Sequence, residues 1–185
     1  MLESDRLLAV LPVREGVLPP GTSEAVYLAG GAVLMIGEGV LLAARGLRAA
    51  SKVRCVDVAD FRPAAIAGGL APLVAQVACV VVPGSADGRT LAARLAFVLD
   101  RQLWPNVVRK EGSTGAVCVR ADGTPGKSFS WESVRGVVTV KPRVADRCTV
   151  AGDACAITSL DLSLPEVPDP QPLGLMASVA GSRGA

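Results

Sequence analysis

The sequence predicts an α/β fold, a three-layer sandwich in which a mainly parallel sheet lies between two layers of helices. Short valine-rich runs alternate with helical patterns in the first part of the chain, which is typical of a parallel sheet covered on both faces. Shorter strand-like runs separated by glycine turns follow and indicate an antiparallel edge. The length of 185 residues, of which 50% are hydrophobic, is sufficient for one buried core.

Strand and helix patterns alternate along the first part of the chain. The strand patterns cover Leu7–Val13, 33–36, 52–58 and Cys79–Pro83. The helical patterns cover 23–29 (a short helix or a turn), a segment that opens at Gly37-Glu38-Gly39 and ends near residue 50, 63–76, and 87 to about 101. Gly68, Gly69 and Pro72 are expected to interrupt the third helix, because glycine and proline are poor helix formers. Cys79–Pro83 carries no charge and is expected to be buried on both faces.

The pattern changes after Trp104. Four short strand-like runs follow, at 107–109, 116–120, 128–131 and Gly136–Val140. Glycine-containing turns separate the first three of these runs, so that hairpins on an antiparallel edge are expected. Residues 165–172, PEVPDPQP, alternate proline with acidic side chains, which is typical of an extended linker. The folded domain is therefore expected to cover 1–164.

The composition excludes several classes of function. The chain has no histidine, so it cannot form a Ser-His-Asp or Cys-His nucleophile system from its own residues. The net charge of +2, without a basic cluster interleaved with aromatic residues, argues against nucleic-acid binding. A metal site would depend on thiolates and carboxylates alone, and none is predicted.

Cysteine usage and hydropathy predict a cytoplasmic protein. The five cysteines form no CxxC pair, and we expect them to be reduced and structural. Cys148 and Cys155 lie in a loop-like stretch and form the one pair open to redox chemistry. The apolar stretch 25–44 has the length of a membrane span, but glycines divide it, so that a helix, a strand and a helix are expected instead.

The turn after the fourth predicted strand is the first candidate binding site. Residues 84–90, GSADGRT, differ from a phosphate-binding loop in having three residues between the glycines and Arg89 in place of the lysine. The favoured interpretation is a helix start capped by Ser85 or Asp87. The alternative is a small nucleotide-binding module in which Arg89 and the helix N-terminus bind a phosphate.

A second glycine pair follows the second predicted strand. Gly37 and Gly39 match the first half of a dinucleotide fingerprint, but Leu42 stands in the third glycine position. Close packing of helix on strand is the favoured reason for these glycines. Asp57 and Asp60 follow the third predicted strand and could meet a ribose, although an N-cap for the next helix is favoured.

Several motifs in succession carry a family resemblance. They are VLMIGEGV, VRCVDV and VVVPGSADGRTLAARLAFVLDRQLWPNVV. The last contains a Gly-Arg-(Asp/Thr)-Leu-Ala-x-Arg-Leu-Ala pattern, matched by Gly88, Arg89, Leu91, Ala92, Arg94, Leu95 and Ala96. Thr139-Val140-Lys141-Pro142 matches a Thr-Val-(Arg/Lys)-Pro run. Over nearly its whole length the chain resembles the N-terminal domain of the electron transfer flavoprotein alpha subunit. The alanine-rich, histidine-free sequence is similar to divergent alpha subunits associated with mycofactocin systems.

The resemblance implies a fold like that of the adenine nucleotide alpha hydrolases and a role as an electron carrier subunit that is not itself an enzyme. The family forms a heterodimer with an electron transfer flavoprotein beta subunit, which carries AMP. Through this complex electrons pass from dehydrogenases to a membrane oxidoreductase.

The resemblance also implies where the flavin belongs. In the family, FAD lies mainly in a second alpha-subunit domain that opens with a Val-Ser-Gly-Gly-Arg-Gly turn. Residues 179–184, VAGSRG, resemble this opening, with Ala180 and Ser182 as departures. Arg183 and Gly184 would then approach the flavin. Residues 165–185 would be a proline-rich linker and the start of a missing FAD-binding domain, so this chain alone is not expected to hold FAD.

Overall fold

The predicted alternation of strands and helices is confirmed in the computed structural model. It describes residues 6–47, 50–109, 115–120, 122–130, 133, 135–142 and 156–169. The strands are β1 (Leu7–Val13), β2 (Ala32–Gly37), β3 (Lys52–Asp57), β4 (Cys79–Pro83), β5 (Gln102–Arg109), β6 (Gly115–Val119), β7 (Pro125–Ser130), β8 (Gly136–Val140) and β9 (Ala156–Ser159). The helices are α1 (Thr22–Leu28), α2 (Val40–Arg45), α3 (Pro63–Val74) and α4 (Ala86–Val98).

The strands form one mixed sheet in the order β7-β6-β5-β8-β4-β1-β2-β3-β9. All neighbours from β5 to β9 in this order run parallel, whereas β6 pairs antiparallel with both β5 and β7. The predicted fold class, a mainly parallel sheet with an antiparallel edge, is therefore confirmed.

Helices cover both faces of the parallel strands. On one face α1 and α2 pack on alternate strand residues such as Leu11 and Met35. On the other face α3 and α4 pack on the intervening residues, such as Leu8 and Leu34. Every residue of β4 is buried, as the sequence predicts, because a strand inside a three-layer sandwich has no solvent-facing side.

The apolar stretch 25–44 contains most of α1, all of β2 and most of α2, so the predicted helix, strand and helix are confirmed. The longest described helix has 13 residues. None of the helices in the described part of the chain has the length and apolar character that crossing a membrane requires.

The prediction for the second half of the sheet is correct only in part. The strands β5, β6 and β7 do form the antiparallel hairpins. Gly136–Val140 does not belong with them, because it lies inside the sheet, parallel to both β4 and β5. The strand β5 begins at Gln102 and contains Pro105, with an irregularity in its pairing between Trp104 and Val107 that accommodates the proline.

Three helices differ from their predictions. The helix α4 ends at Val98 instead of near residue 101. The helix α2 ends at Arg45, with Gly46 as its C-cap, instead of near residue 50. The helix α3 is continuous, and Gly68 and Gly69 do not break it. A Cβ atom at Gly68 would lie 2.8 Å from Pro165, and one at Gly69 would lie 3.1 Å from Leu164. These glycines therefore allow residues 160–169 to lie close against the helix.

The N-terminus of α3 is capped by a residue far away in sequence. Asp169 accepts hydrogen bonds from the backbone N–H groups of Ala64 (2.7 Å) and Ala65 (2.9 Å). Pro63 at the first helical position has no N–H to satisfy. The prediction that Asp57 or Asp60 caps this helix is wrong. Both residues precede the N-cap residue, Arg62, and the carboxylate of Asp169 accepts the hydrogen bonds instead.

Replacement of Asp169 tests this cap. We expect Asp169→Ala to lower the free energy of unfolding by about 1–2 kcal/mol, since two helix N–H groups lose a charged acceptor. Urea unfolding monitored by circular dichroism gives the value. The matched control is Asp60→Ala, which should change it by less than about 0.5 kcal/mol. Equal effects of the two substitutions would contradict the assignment.

Candidate functional site

The carboxyl edge of the sheet is where an α/β domain of this kind places a ligand. After β1 the chain forms β2 and β3 on one side of β1, and the connecting helices α1 and α2 lie on one face of the sheet. The helix α3 then crosses the other face, and β4 pairs with β1 on its opposite side. The strand order thus reverses between β1 and β4. Open parallel sheets bind ligands outside the carboxyl ends of the strands at such a switch point.

An ion pair bridges the switch point in this protein. Arg14 follows β1, and Asp87 lies in the first turn of α4, which follows β4. The Nε and Nη2 atoms of Arg14 donate to the two carboxylate oxygens of Asp87 at 2.8 and 3.2 Å. The guanidinium also lies 4.3 Å from the centre of the Phe61 ring. The pair is half exposed and contributes under about 1 kcal/mol, and it joins the ends of the two strands at the switch point.

The polar groups of the turn 84–90 form hydrogen bonds within the chain. Ser85 is the N-cap of α4 and its Oγ accepts from the Gly88 N–H at 3.1 Å, so the predicted cap is confirmed. The Nη1 atom of Arg89 donates to the backbone oxygen of Gly84 at 2.5 Å. The carboxylate of Asp87 adds a negative charge to the first helical turn. Arg89, the residue that would attract a phosphate, thus binds its own loop.

The glycines of this turn allow backbone segments to approach each other. A Cβ atom at Gly88 would lie 1.9 Å from the Pro83 oxygen, and one at Gly84 would lie 2.6 Å from the Val140 oxygen. The Gly84 N–H donates to that same Val140 oxygen at 2.8 Å. Close packing of β4, α4 and the end of β8 therefore explains why glycine occupies both positions.

The Gly37-Glu38-Gly39 turn is held in the same way. Gly37 and Gly39 have φ angles of +136° and +72°, and a Cβ atom at Gly37 would lie 1.9 Å from the Val13 oxygen. The Gly16 N–H donates to the Glu38 oxygen at 2.9 Å, which ties the turn to the loop after β1. The Gly39 N–H donates to Asp57 Oδ1 at 3.2 Å, so Asp57 supports the start of α2. These contacts favour the packing interpretation of the glycine pair.

A cavity of 360 Å³ lies beside Asp57. Residues from the start of α2, the end of β3 and the segment 159–163 line it: Val40, Leu41, Cys55, Asp57, Ser159, Leu160, Asp161, Leu162 and Ser163. The sequence gives no indication of this cavity, because β9 and the segment after it join the edge of the sheet through a long-range pairing with β3. Its two carboxylates are exposed to solvent.

The described cysteines behave as core residues. Cys55 and Cys79 are buried within strands, as the sequence predicts, and Cys118 is half-buried. Burial raises the pKa of Cys79 to about 12, although the charge of Arg101 opposes this effect. Burial also raises the pKa of Cys118. A thiol nucleophile is not available at Cys79 at neutral pH. In the described residues, no group of three or more Cys, Asp or Glu side chains could hold a metal ion.

Several predicted site residues lie outside the described residues. These are Arg183 and Gly184, expected to approach a flavin, and the pair Cys148 and Cys155. The ion pair of Arg14 with Asp87 was not predicted, although the position of Arg14 directly after β1 is a sequence signal for it.

No protein-family model matches this sequence, and none of the curated proteins searched matches it.

Calorimetry with AMP and ATP tests the turn 84–90 as a phosphate site. We expect no saturable binding in the micromolar range, since Arg89 and the Gly88 N–H are already engaged and Asp87 repels an anion. Arg94→Ala, one turn further along α4, is the control for Arg89→Ala. Micromolar binding that Arg89→Ala abolishes and Arg94→Ala leaves intact would favour the nucleotide-binding module.

Proposed function

We propose that this chain forms the N-terminal domain of an electron transfer flavoprotein alpha subunit and serves there as a scaffold that docks with a beta subunit. The motifs from Val33 to Pro142 support the family assignment. The three-layer fold with a mainly parallel sheet is compatible with it. The domain is an electron carrier component in the cytoplasm and not a catalyst.

The single observation that carries this proposal is the pairing of charged side chains with groups of the same chain at the switch point. An α/β domain that binds a nucleotide itself keeps donors free at this crevice. Here Arg14 bridges to Asp87, and Arg89 binds the Gly84 oxygen. A domain in which the polar side chains at this edge bind groups of its own chain is suited to a structural role in an assembly.

Such a division of labour is chemically sound. A flavin carries out the electron transfer, and the protein binds, orients and shields it. The absence of histidine from the sequence is therefore no obstacle to membership of a flavoprotein complex. FAD would be bound mainly by a second alpha-subunit domain, with Arg183 and Gly184 near the flavin, and AMP would be bound by the beta subunit.

Co-expression with an electron transfer flavoprotein beta subunit tests the proposal. We expect a heterodimer of one chain each on size-exclusion chromatography with light scattering, with AMP bound to the beta subunit. The chain purified alone should show no flavin absorption band. The beta subunit expressed alone is the control for its AMP content.

Two outcomes would contradict the proposal. One is a failure of the two subunits to associate when both are folded, as judged by circular dichroism. The other is a flavin band at one FAD per chain in the chain purified alone. A heterodimer of this chain with the beta subunit that contains no flavin would support the scaffold role.

A further inference from the structure

The outer face of α4 carries an unusually exposed aromatic residue. The side chain of Phe97 is 83% exposed and its neighbour Val98 is 41% exposed. Aromatic residues make up only 3% of the chain, and the fully buried core of the described residues consists of Val, Leu, Ala, Ile, Met and Cys side chains. Placing one of the three phenylalanines on the surface withholds a large apolar side chain from the core. Aromatic side chains in such positions are enriched in protein interfaces.

A groove begins beside Val98. It has a volume of 640 Å³ and is open to solvent. Its apolar lining comes from the second half of α3 and the end of α4: Gly68, Ala71, Pro72, Ala75, Val98 and Leu99. Phe97 precedes Val98 in sequence, and Val98 lines this groove. We call Phe97, Val98 and the groove the α4 surface.

Positive charge surrounds the α4 surface. Arg101 and Arg135 line the groove, and Arg94 lies one helical turn before Val98 on α4. Burial lowers the pKa of Arg101, and the positive charge of Arg135 lowers it further, which indicates that the two guanidinium groups repel each other. Among the described residues that line the groove, Asp100 is the one acid. The local charge therefore remains positive.

One of these arginines also has a structural task. Arg101 donates to the backbone oxygens of Val77 and Ala75, both at 2.6 Å, and so satisfies carbonyl groups at the end of α3. Its positive charge is not neutralised by these neutral acceptors. Arg94 and Arg135 are exposed and make no ion pair within the described residues.

We propose that the α4 surface docks an acidic, amphipathic segment of a partner protein. Apolar side chains of the segment would pack on Phe97, Val98 and the groove, and its carboxylates would meet Arg94, Arg101 and Arg135. The positive charge of these arginines favours an acidic segment over a neutral or basic one. A second copy of the chain is disfavoured, because a two-fold symmetric contact through this surface would place the same arginines opposite each other. This inference concerns the chain alone and does not depend on the electron-transfer proposal.

A synthetic peptide provides the test. The probe is a fluorescein-labelled, helix-forming peptide with glutamate on one face and leucine on the other, titrated with the intact chain and followed by fluorescence anisotropy. One control peptide has lysine in place of every glutamate, and another has serine in place of every leucine. We expect saturable binding of the first peptide alone, and weaker binding at higher salt concentration.

Substitutions on the α4 surface should weaken this binding. We expect Phe97→Ser to raise the dissociation constant about tenfold or more, as removal of a central aromatic anchor does. The double substitution Arg94→Glu with Arg135→Glu should do the same through charge reversal, and Arg101 is left intact because of its role at α3. The matched controls Leu42→Ser and Arg45→Glu, on the exposed side of α2, should leave binding unchanged.

The proposal is overturned if the acidic peptide does not bind saturably, or if the α2 controls weaken binding as much as the α4 substitutions. Equal affinity for the lysine peptide would also overturn it. Two further results would assign the surface to another occupant: binding to anionic phosphatidylserine vesicles but not to the peptide, or self-association on sedimentation that Phe97→Ser abolishes.

Discussion

Close backbone contacts at the carboxyl edge of the sheet are the constraint on which the rest of this structure depends. Gly37 and Gly88 lie so near the Val13 and Pro83 oxygens that no side chain fits at either position. These contacts allow β2 and β4 to turn directly into α2 and α4, which pack on opposite faces of the parallel strands. Backbone donors at the same edge are also engaged within the chain, because the Gly84 and Gly39 N–H groups donate to Val140 and Asp57.

The local part of the fold can be predicted from the sequence, and the long-range part cannot. Valine-rich runs such as Cys79–Pro83 and the Ser85 cap depend on neighbours in sequence, so they are found where expected. The position of β8 between β4 and β5 depends on which strands pair across the sheet, which no local pattern encodes. The capping of α3 by Asp169 could not be predicted either, because the two bonded residues lie more than a hundred positions apart in sequence.

Two surfaces of the domain differ in character. At the carboxyl edge, the Arg14 side chain donates to Asp87 and the Arg89 side chain donates to the Gly84 oxygen. The charged donors at this edge therefore have acceptors within the chain. On the outer side of α4, the charges of Arg94 and Arg135 have no carboxylate partner within the described residues, and Phe97 faces solvent. The first arrangement favours rigidity and the second favours recognition. Both properties would suit the scaffold role that we propose.

Amide hydrogen exchange at the carboxyl edge, followed by NMR, tests the closed edge most directly. The Gly84 and Gly16 N–H groups donate to the oxygens of Val140 and Glu38. We therefore expect both amides to exchange slowly in the free protein, with rates that added inorganic phosphate does not change. Exchange as fast as in an unstructured chain, or slow exchange that develops only when phosphate is added, would show that the edge is open and would contradict this account.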